Sequence, residues 1–234
     1  MPATIRLTLD QPGSARIYPA RLHGAACAVL ESGGGEHRQQ RKPFAVWPLR
    51  DLDGRTGWQL GWLAEHDPPA VPRRIRLGEA HCRVREVDVD GVSYARLANS
   101  EPARHAQLRM ISPLYFSRNG RDHPLPDPVL IVRNAAQRWN AHAPEPLHVG
   151  EEQLRAITGM VFLHDLAGET VRTPVSATME QTGFVGTVRL GLTRNAERVT
   201  RGLFAALMRF TAVAGVGAQT THGFGGVQLE ELDP

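Results

Sequence analysis

The chain has 234 residues, 41% hydrophobic and 22% charged, enough apolar material for a packed core and too much for wholesale disorder. No apolar run approaches the roughly 18 residues of a membrane-spanning helix, and the opening MPATIRLTLD reads as a strand, not a signal peptide. Two cysteines, Cys27 and Cys82, without a CxxC pair exclude a disulfide framework, so a soluble cytoplasmic protein is expected. The net charge of +3 permits a nucleic-acid partner without demanding one. Lys42 is the only lysine among 27 basic residues. Arginine's planar fork suits phosphate, but a G+C-rich genome gives the same bias, and both explanations stand.

In chain order, Ile5, Leu7 and Leu9 alternate as a half-buried strand, and Leu22, Ala26, Val29 and Leu30 recur at helical spacing over Arg16 to Leu30. Ser32-Gly33-Gly34-Gly35 stops that helix. Phe44 to Trp47 and Thr56 to Ala64 read as strands, and His81 to Val87 with Val92 to Tyr94 as a hairpin across Asp90-Gly91. A second α+β unit follows. Gln107 to Ser112 is predicted as a strand, Val129 to Asn140 as a helix, and Met160 to Leu163 and Phe184 to Leu192 as strands. The clearest helix runs from Thr193 to Ala214, with Val199, Leu203, Leu207 and Phe210 on one face and Arg194, Arg198 and Arg201 on another. Such an arginine stripe is either a solvated face or a track for phosphates. A last strand runs to about Leu229. The expected fold class is α+β, in two similar halves at 1–103 and 104–234.

Between the last helix and the last strand lie four glycines within eleven residues, Gly215, Gly217, Gly223 and Gly225. Such a cluster signals positive φ or close backbone approach, and its N–H groups form a concavity suited to phosphate. The GxxxxGK[ST] pattern fails for want of a lysine, and GxGxxG fails at Thr220, so nucleotide triphosphates and NAD are not expected. The histidines form no HxxxH or HExxH pair, and no carboxylate pair is spaced to cage magnesium, so neither metal nor cofactor is expected.

Gly215-Val-Gly217 to Gly223-Phe-Gly225 after an apolar helix resembles the glycine-rich signature of the RAMP superfamily of CRISPR-associated proteins. Lys42 to Leu49, Ile111 to Phe116 with Pro124 to Pro128, and Arg201 to Leu229 are similar to the CRISPR-associated endoribonuclease family six, which cuts precursor CRISPR RNA within its repeats. The resemblance implies two tandem ferredoxin-like (RRM-like) halves, with the glycine-rich loop against RNA and Gln219, Thr220, Thr221 and His222 offering donors near the phosphate path. It implies CRISPR repeat RNA as the partner. A homodimer is compatible with it, as is association with interference-complex subunits.

RNA is cut without metal when its own 2′-hydroxyl attacks the adjacent phosphate, which needs a base, an acid and positive charge on the phosphorane. The segment Glu36 to Lys42 gathers one histidine, two arginines and the lysine. In the resembling family the catalytic histidine sits in this loop. His37 matches it, Lys42 matches a basic neighbour, and His23 on the first helix is the rival or companion. Arg38 and Arg41 would then flank the scissile phosphate, with Arg194, Arg198 and Arg201 along a repeat stem. Trp47, Trp58, Trp62, Trp139 and Tyr115 either fill the core or stack a base. Cys27 reads as a small buried residue. The competing reading is a noncatalytic RAMP subunit that binds CRISPR RNA in an interference complex.

Overall fold

The computed structural model describes residues 1–10, 17–31 and 42–234. The chain order is β1 (Ala3–Leu9), α1 (Pro19–Leu30), β2 (Phe44–Val46), β3 (Arg50–Asp51), β4 (Thr56–Trp62), β5 (Arg74–Leu77), β6 (Ala80–Gly91) and α2 (Tyr94–Ala98). It continues with β7 (His105–Leu114), β8 (Phe116–Arg118), β9 (Arg121–His123), α3 (Pro128–His142), α4 (Glu151–Met160), β10 (Val161–Pro174), β11 (Glu180–Leu192), α5 (Arg198–Ala214) and β12 (Val227–Asp233). The fold is α+β, with ferredoxin-like sheets.

The first sheet runs β2-β4-β1-β6-β5, with β3 paired to β4. Both β1 and β2 are antiparallel to β4, so they are parallel to each other with β4 between them, and α1 makes the crossover. Register puts Ile5 opposite Leu60 and Leu7 opposite Trp58. Opposed residues share a face, and these pack with Leu22, Ala26 and Val29 of α1 into one apolar cluster. Pro19 opens α1 where its missing N–H costs nothing.

The second sheet runs β10-β11-β7-β12, all neighbours antiparallel. Leu108, Met110 and Leu114 of β7 meet Ile131, Ala135 and Trp139 of α3 and Phe204, Leu207 and Phe210 of α5 in a second cluster. Asp127 caps α3, its side chain accepting from the Leu130 N–H at 2.8 Å. Leu63, Tyr94 and Leu97, which precede the second sheet in sequence, belong to this second cluster. The Tyr94 hydroxyl donates to the Leu63 carbonyl at 2.8 Å.

Several sequence expectations are corrected. The hairpin is β5–β6 across Gly78-Glu79, not a turn at Asp90-Gly91. Gly91 stays extended in β6 opposite Ala3, while Ser93 caps α2 by accepting from the Arg96 N–H. Helix α5 begins at Arg198, so Arg194 lies before it and the three arginines do not share a helical stripe. Val199 is 71% exposed, one turn before the apolar face starts. Helix α4 and the β8–β9 hairpin were not anticipated, because their sequences carry few buried residues. Trp47, Trp58, Trp62, Trp139 and Tyr115 are all buried and serve the core.

The two sheets are locked together where β4 meets the end of α5. A Cβ added at Gly61 would fall onto the Val213 carbonyl oxygen. Backbone cannot yield there as a flexible side chain would. Gly61→Ala is expected to lower the unfolding free energy by about 1–3 kcal/mol, measured by urea denaturation.

Candidate active site

The site forms where five segments meet: the end of β7, the glycine-rich loop, α3, α1 and β2. The end of β7 receives the glycine-rich loop: Ala218 N–H donates to the Tyr115 carbonyl at 2.8 Å, and Gly225 N–H to the Pro113 carbonyl at 2.9 Å. The Ser112 hydroxyl accepts from Gly226 N–H at 2.7 Å, and Asn134 of α3 accepts from Gly217 N–H at 2.9 Å. Gly215, Gly217, Gly223 and Gly225 have φ of +68°, +91°, +92° and +60°. At Gly225 a side chain is doubly barred, because the left-handed φ strains it and its Cβ would strike the Val216 carbonyl oxygen. Gln219 is itself left-handed, φ +53°, and starts the 3₁₀ turn Thr220–His222.

That turn lies against α1 and β2. His23 Nδ1 donates to the Thr221 carbonyl at 3.0 Å, since a carbonyl oxygen can only accept. The His23 and His222 rings stack in parallel, centroids 4.1 Å apart and planes 4° from coincidence. The Thr221 hydroxyl lies 3.0 Å from His222 Nδ1. Cys27 Sγ is 3.5 Å from His23 Nε2. Burial, with Glu31 nearby, pushes the Cys27 thiol up to about 11, so it is a neutral thiol at working pH. Burial and then the neighbouring His23 pull His222 down to about 4.

Beneath the turn, Arg138 of α3 donates to Thr220 Oγ1 at 2.5 Å and approaches the Phe44 carbonyl at 3.5 Å. Burial draws this guanidinium down to about 10, which leaves it charged at neutral pH. A cleft of about 370 Å³ opens beside the stacked rings, lined by Tyr18, Pro48, Pro113, Arg172, His222 and Phe224 among others.

The predicted site residues divide sharply. His23, Gly215, Gly217, Gln219, Thr220, His222, Gly223 and Gly225 come together here. Lys42 borders the site with its Nζ 2.6 Å from the buried Glu31 carboxylate. His37, Arg38 and Arg41 lie outside the described residues. Arg194, Arg198 and Arg201 stand near the start of α5, roughly 25 Å of helix from the glycine-rich loop at its end. Sequence reasoning missed Arg138, Asn134, Glu31 and Phe44. A signal was available for Arg138: it follows Ile131 and Ala135 at i+7 and i+3, placing an arginine on the inward face of α3. Among the described residues, no three His, Cys, Asp or Glu side chains are grouped to hold a metal ion.

The family model for CRISPR-associated endoribonuclease Cas6 matches residues 108–227. The chain belongs to this family. No curated protein matches its sequence. Among solved structures, a Cas6 product complex is 28% identical with a TM-score of 0.81, over 98% of this chain and 99% of that one. A Cas6 substrate mimic complex is 27% identical, TM-score 0.79, with the same coverage. A Thermus thermophilus Cas6, 23% identical with a TM-score of 0.75 over 98% of both chains, shares the fold. The matched segment ends at Val227 and so takes in α3, α5 and the whole glycine-rich loop.

Two expectations follow from this geometry. Removing the Lys42 ammonium leaves a buried carboxylate without that cation. Lys42→Met is expected to cost about 3–5 kcal/mol of stability, most of it recovered in the Lys42→Met/Glu31→Gln double variant, by thermal unfolding. His222 has a folded pKa near 4, below the ordinary 6.5, so the unfolded chain takes up that proton first as pH falls. Relative to His222→Phe, the native protein is expected to lose stability progressively from about pH 6.5 to 4 and to show a constant difference above pH 7.

Proposed function

We propose that this Cas6-family endoribonuclease releases mature guide RNAs from precursor CRISPR transcripts by metal-independent transesterification. The 2′-oxygen attacks the adjacent phosphorus and the bond from phosphorus to the 5′-oxygen breaks, giving a 2′,3′-cyclic phosphate and a 5′-hydroxyl. One histidine takes the 2′-hydroxyl proton and another protonates the departing 5′-oxygen, with His37 and His23 in these roles. Neutral His23 carries its proton on Nδ1, so the basic nitrogen of the ring is Nε2, where Cys27 Sγ makes a weak contact at 3.5 Å. Lys42 and Arg138 place positive charge around the phosphorane.

The observation that carries this reading is the seating of His23, from α1, on the glycine-rich loop of the other sheet. Similar structures include a Cas6 product complex, a substrate mimic complex and a variant in which a histidine is replaced by alanine, all of which support an RNA-cleaving histidine site. The glycine-rich loop contacts the RNA backbone, the cleft beside His222 admits nucleotides next to the cut, and Arg38 and Arg41 flank the scissile phosphate. Arg194, Arg198 and Arg201 hold a repeat stem through phosphates at the far end of α5. The halves 1–103 and 104–234 are tandem copies of one ferredoxin-like unit, the first with no helix between β4 and β6 and its second helix, α2, placed after β6. The protein acts in the cytoplasm, alone, as a homodimer or beside interference-complex subunits. Among the described residues, no helix is long and apolar enough to cross a membrane.

Cleavage of a labelled repeat RNA in EDTA tests the reading. The native protein is expected to make one discrete cut. That cut should slow by about 10²–10⁴-fold in His37→Ala and in His23→Ala and vanish with a 2′-deoxy nucleotide at the site. Tight binding without cleavage by the native protein would favour the noncatalytic scaffold.

A further inference from the structure

The His222 side chain lines the cleft and at the same time contacts the protein itself. Its ring covers one face of His23, 4.1 Å away and nearly parallel to it, and its Nδ1 faces the Thr221 hydroxyl. The same Thr221 supplies the carbonyl that receives the His23 Nδ1 proton. One dipeptide of the glycine-rich loop thus fixes both the plane and the tautomer of the helix histidine. We propose that His222 is a positioning residue for cleavage, holding the His23 ring in one plane and one tautomer with Nε2 as its basic nitrogen. This rests on the reading that His23 takes part in the reaction.

The surroundings agree. From α1, Cys27 faces His23 Nε2 as a weak S–H donor, and Glu31 lies beyond it with its partner Lys42. From β2, Phe44 sits 5.9 Å from the His23 ring centroid. From α3, the Arg138 cation lies under Thr220. None of these restrains the ring plane as a parallel stack does. Two imidazolium cations at this separation would repel strongly, and burial together with the neighbouring His23 favours the neutral form of His222. A neutral stacked ring can steady His23 through a catalytic cycle in which His23 gains and loses a proton.

The test compares native protein, His222→Ala and His222→Phe in three readouts: single-turnover cleavage at saturating repeat RNA, RNA affinity, and ¹⁵N spectra of the His23 ring. His222→Ala is expected to slow cleavage between about 10- and 100-fold, the scale of a misplaced catalytic group. RNA affinity should stay within roughly twofold, marking a loss in the chemical step and not in binding. The His23 ring should lose its single Nδ1–H signature. His222→Phe, which keeps the stacked face, should restore most of the rate and the signature. An affinity loss as large as the rate loss with an unchanged His23 spectrum would overturn the proposal and return His222 to RNA contact. Unaltered cleavage by His222→Ala would overturn it as well. Native-rate cleavage by His23→Ala would instead remove the functional reading itself, so the two failures are told apart.

Discussion

The rest of the site depends on the seating of the glycine-rich loop between two sheets. Its backbone is fixed on one side by hydrogen bonds to Pro113, Tyr115 and the Ser112 hydroxyl, and on another by Asn134 of α3. Its outer turn then reaches α1 and β2 through Thr221, His222 and the Arg138–Thr220 bond. Each contact requires the chain to turn back on itself within a few residues, at a separation that a Cβ on Gly225 would not allow. Helix α1, packed on the first sheet, can carry His23 into register with a loop of the second only because that approach is so close. The Gly61–Val213 contact keeps the two sheets at that distance.

Charge is handled differently inside the site and at its edge. Within it, a buried carboxylate is matched by Lys42, a guanidinium is bonded to a hydroxyl, and one imidazole of a stacked pair stays neutral. These groups are partly or wholly removed from solvent, so each interacts more strongly than the same pair would in water. At the edge, Arg194 and Arg198 by the α5 start are exposed, while Arg201 is half-buried; the proposed grip of such exposed arginines on a phosphate chain weakens as salt rises. The division matches what strand scission needs, a dry precise centre and a wet adjustable track.

Much of the architecture was legible because period and punctuation agree: alternation in β1, β7 and β11, and the apolar face of α5. The glycine cluster was legible too, as no other residue satisfies positive φ and close approach together. The stretches 42–49, 111–116 and 201–229, each of which resembles the family, are neighbours in space, with Trp47 lying against Gly226 and Tyr115 edge-on to Phe224. What stayed hidden was pairing across the chain. The local sequence of Arg138 does not name Thr220, 82 residues away, as its partner. Asp90-Gly91 imitates a turn locally, but β1 recruits it into a strand, and only the sheet decides between them. Nothing near His222 in sequence shows that His23, 199 residues earlier, covers one face of its ring.

The central claim is that the reaction occurs at the junction of α1 and the glycine-rich loop. Photo-crosslinking of a repeat RNA bearing a reactive nucleotide at the scissile position, followed by peptide mapping, tests it most directly. The adducts are expected on α1 and on residues 219–224. Adducts confined to the β10–β11 hairpin or to the start of α5, with none on α1 or the loop, would contradict it.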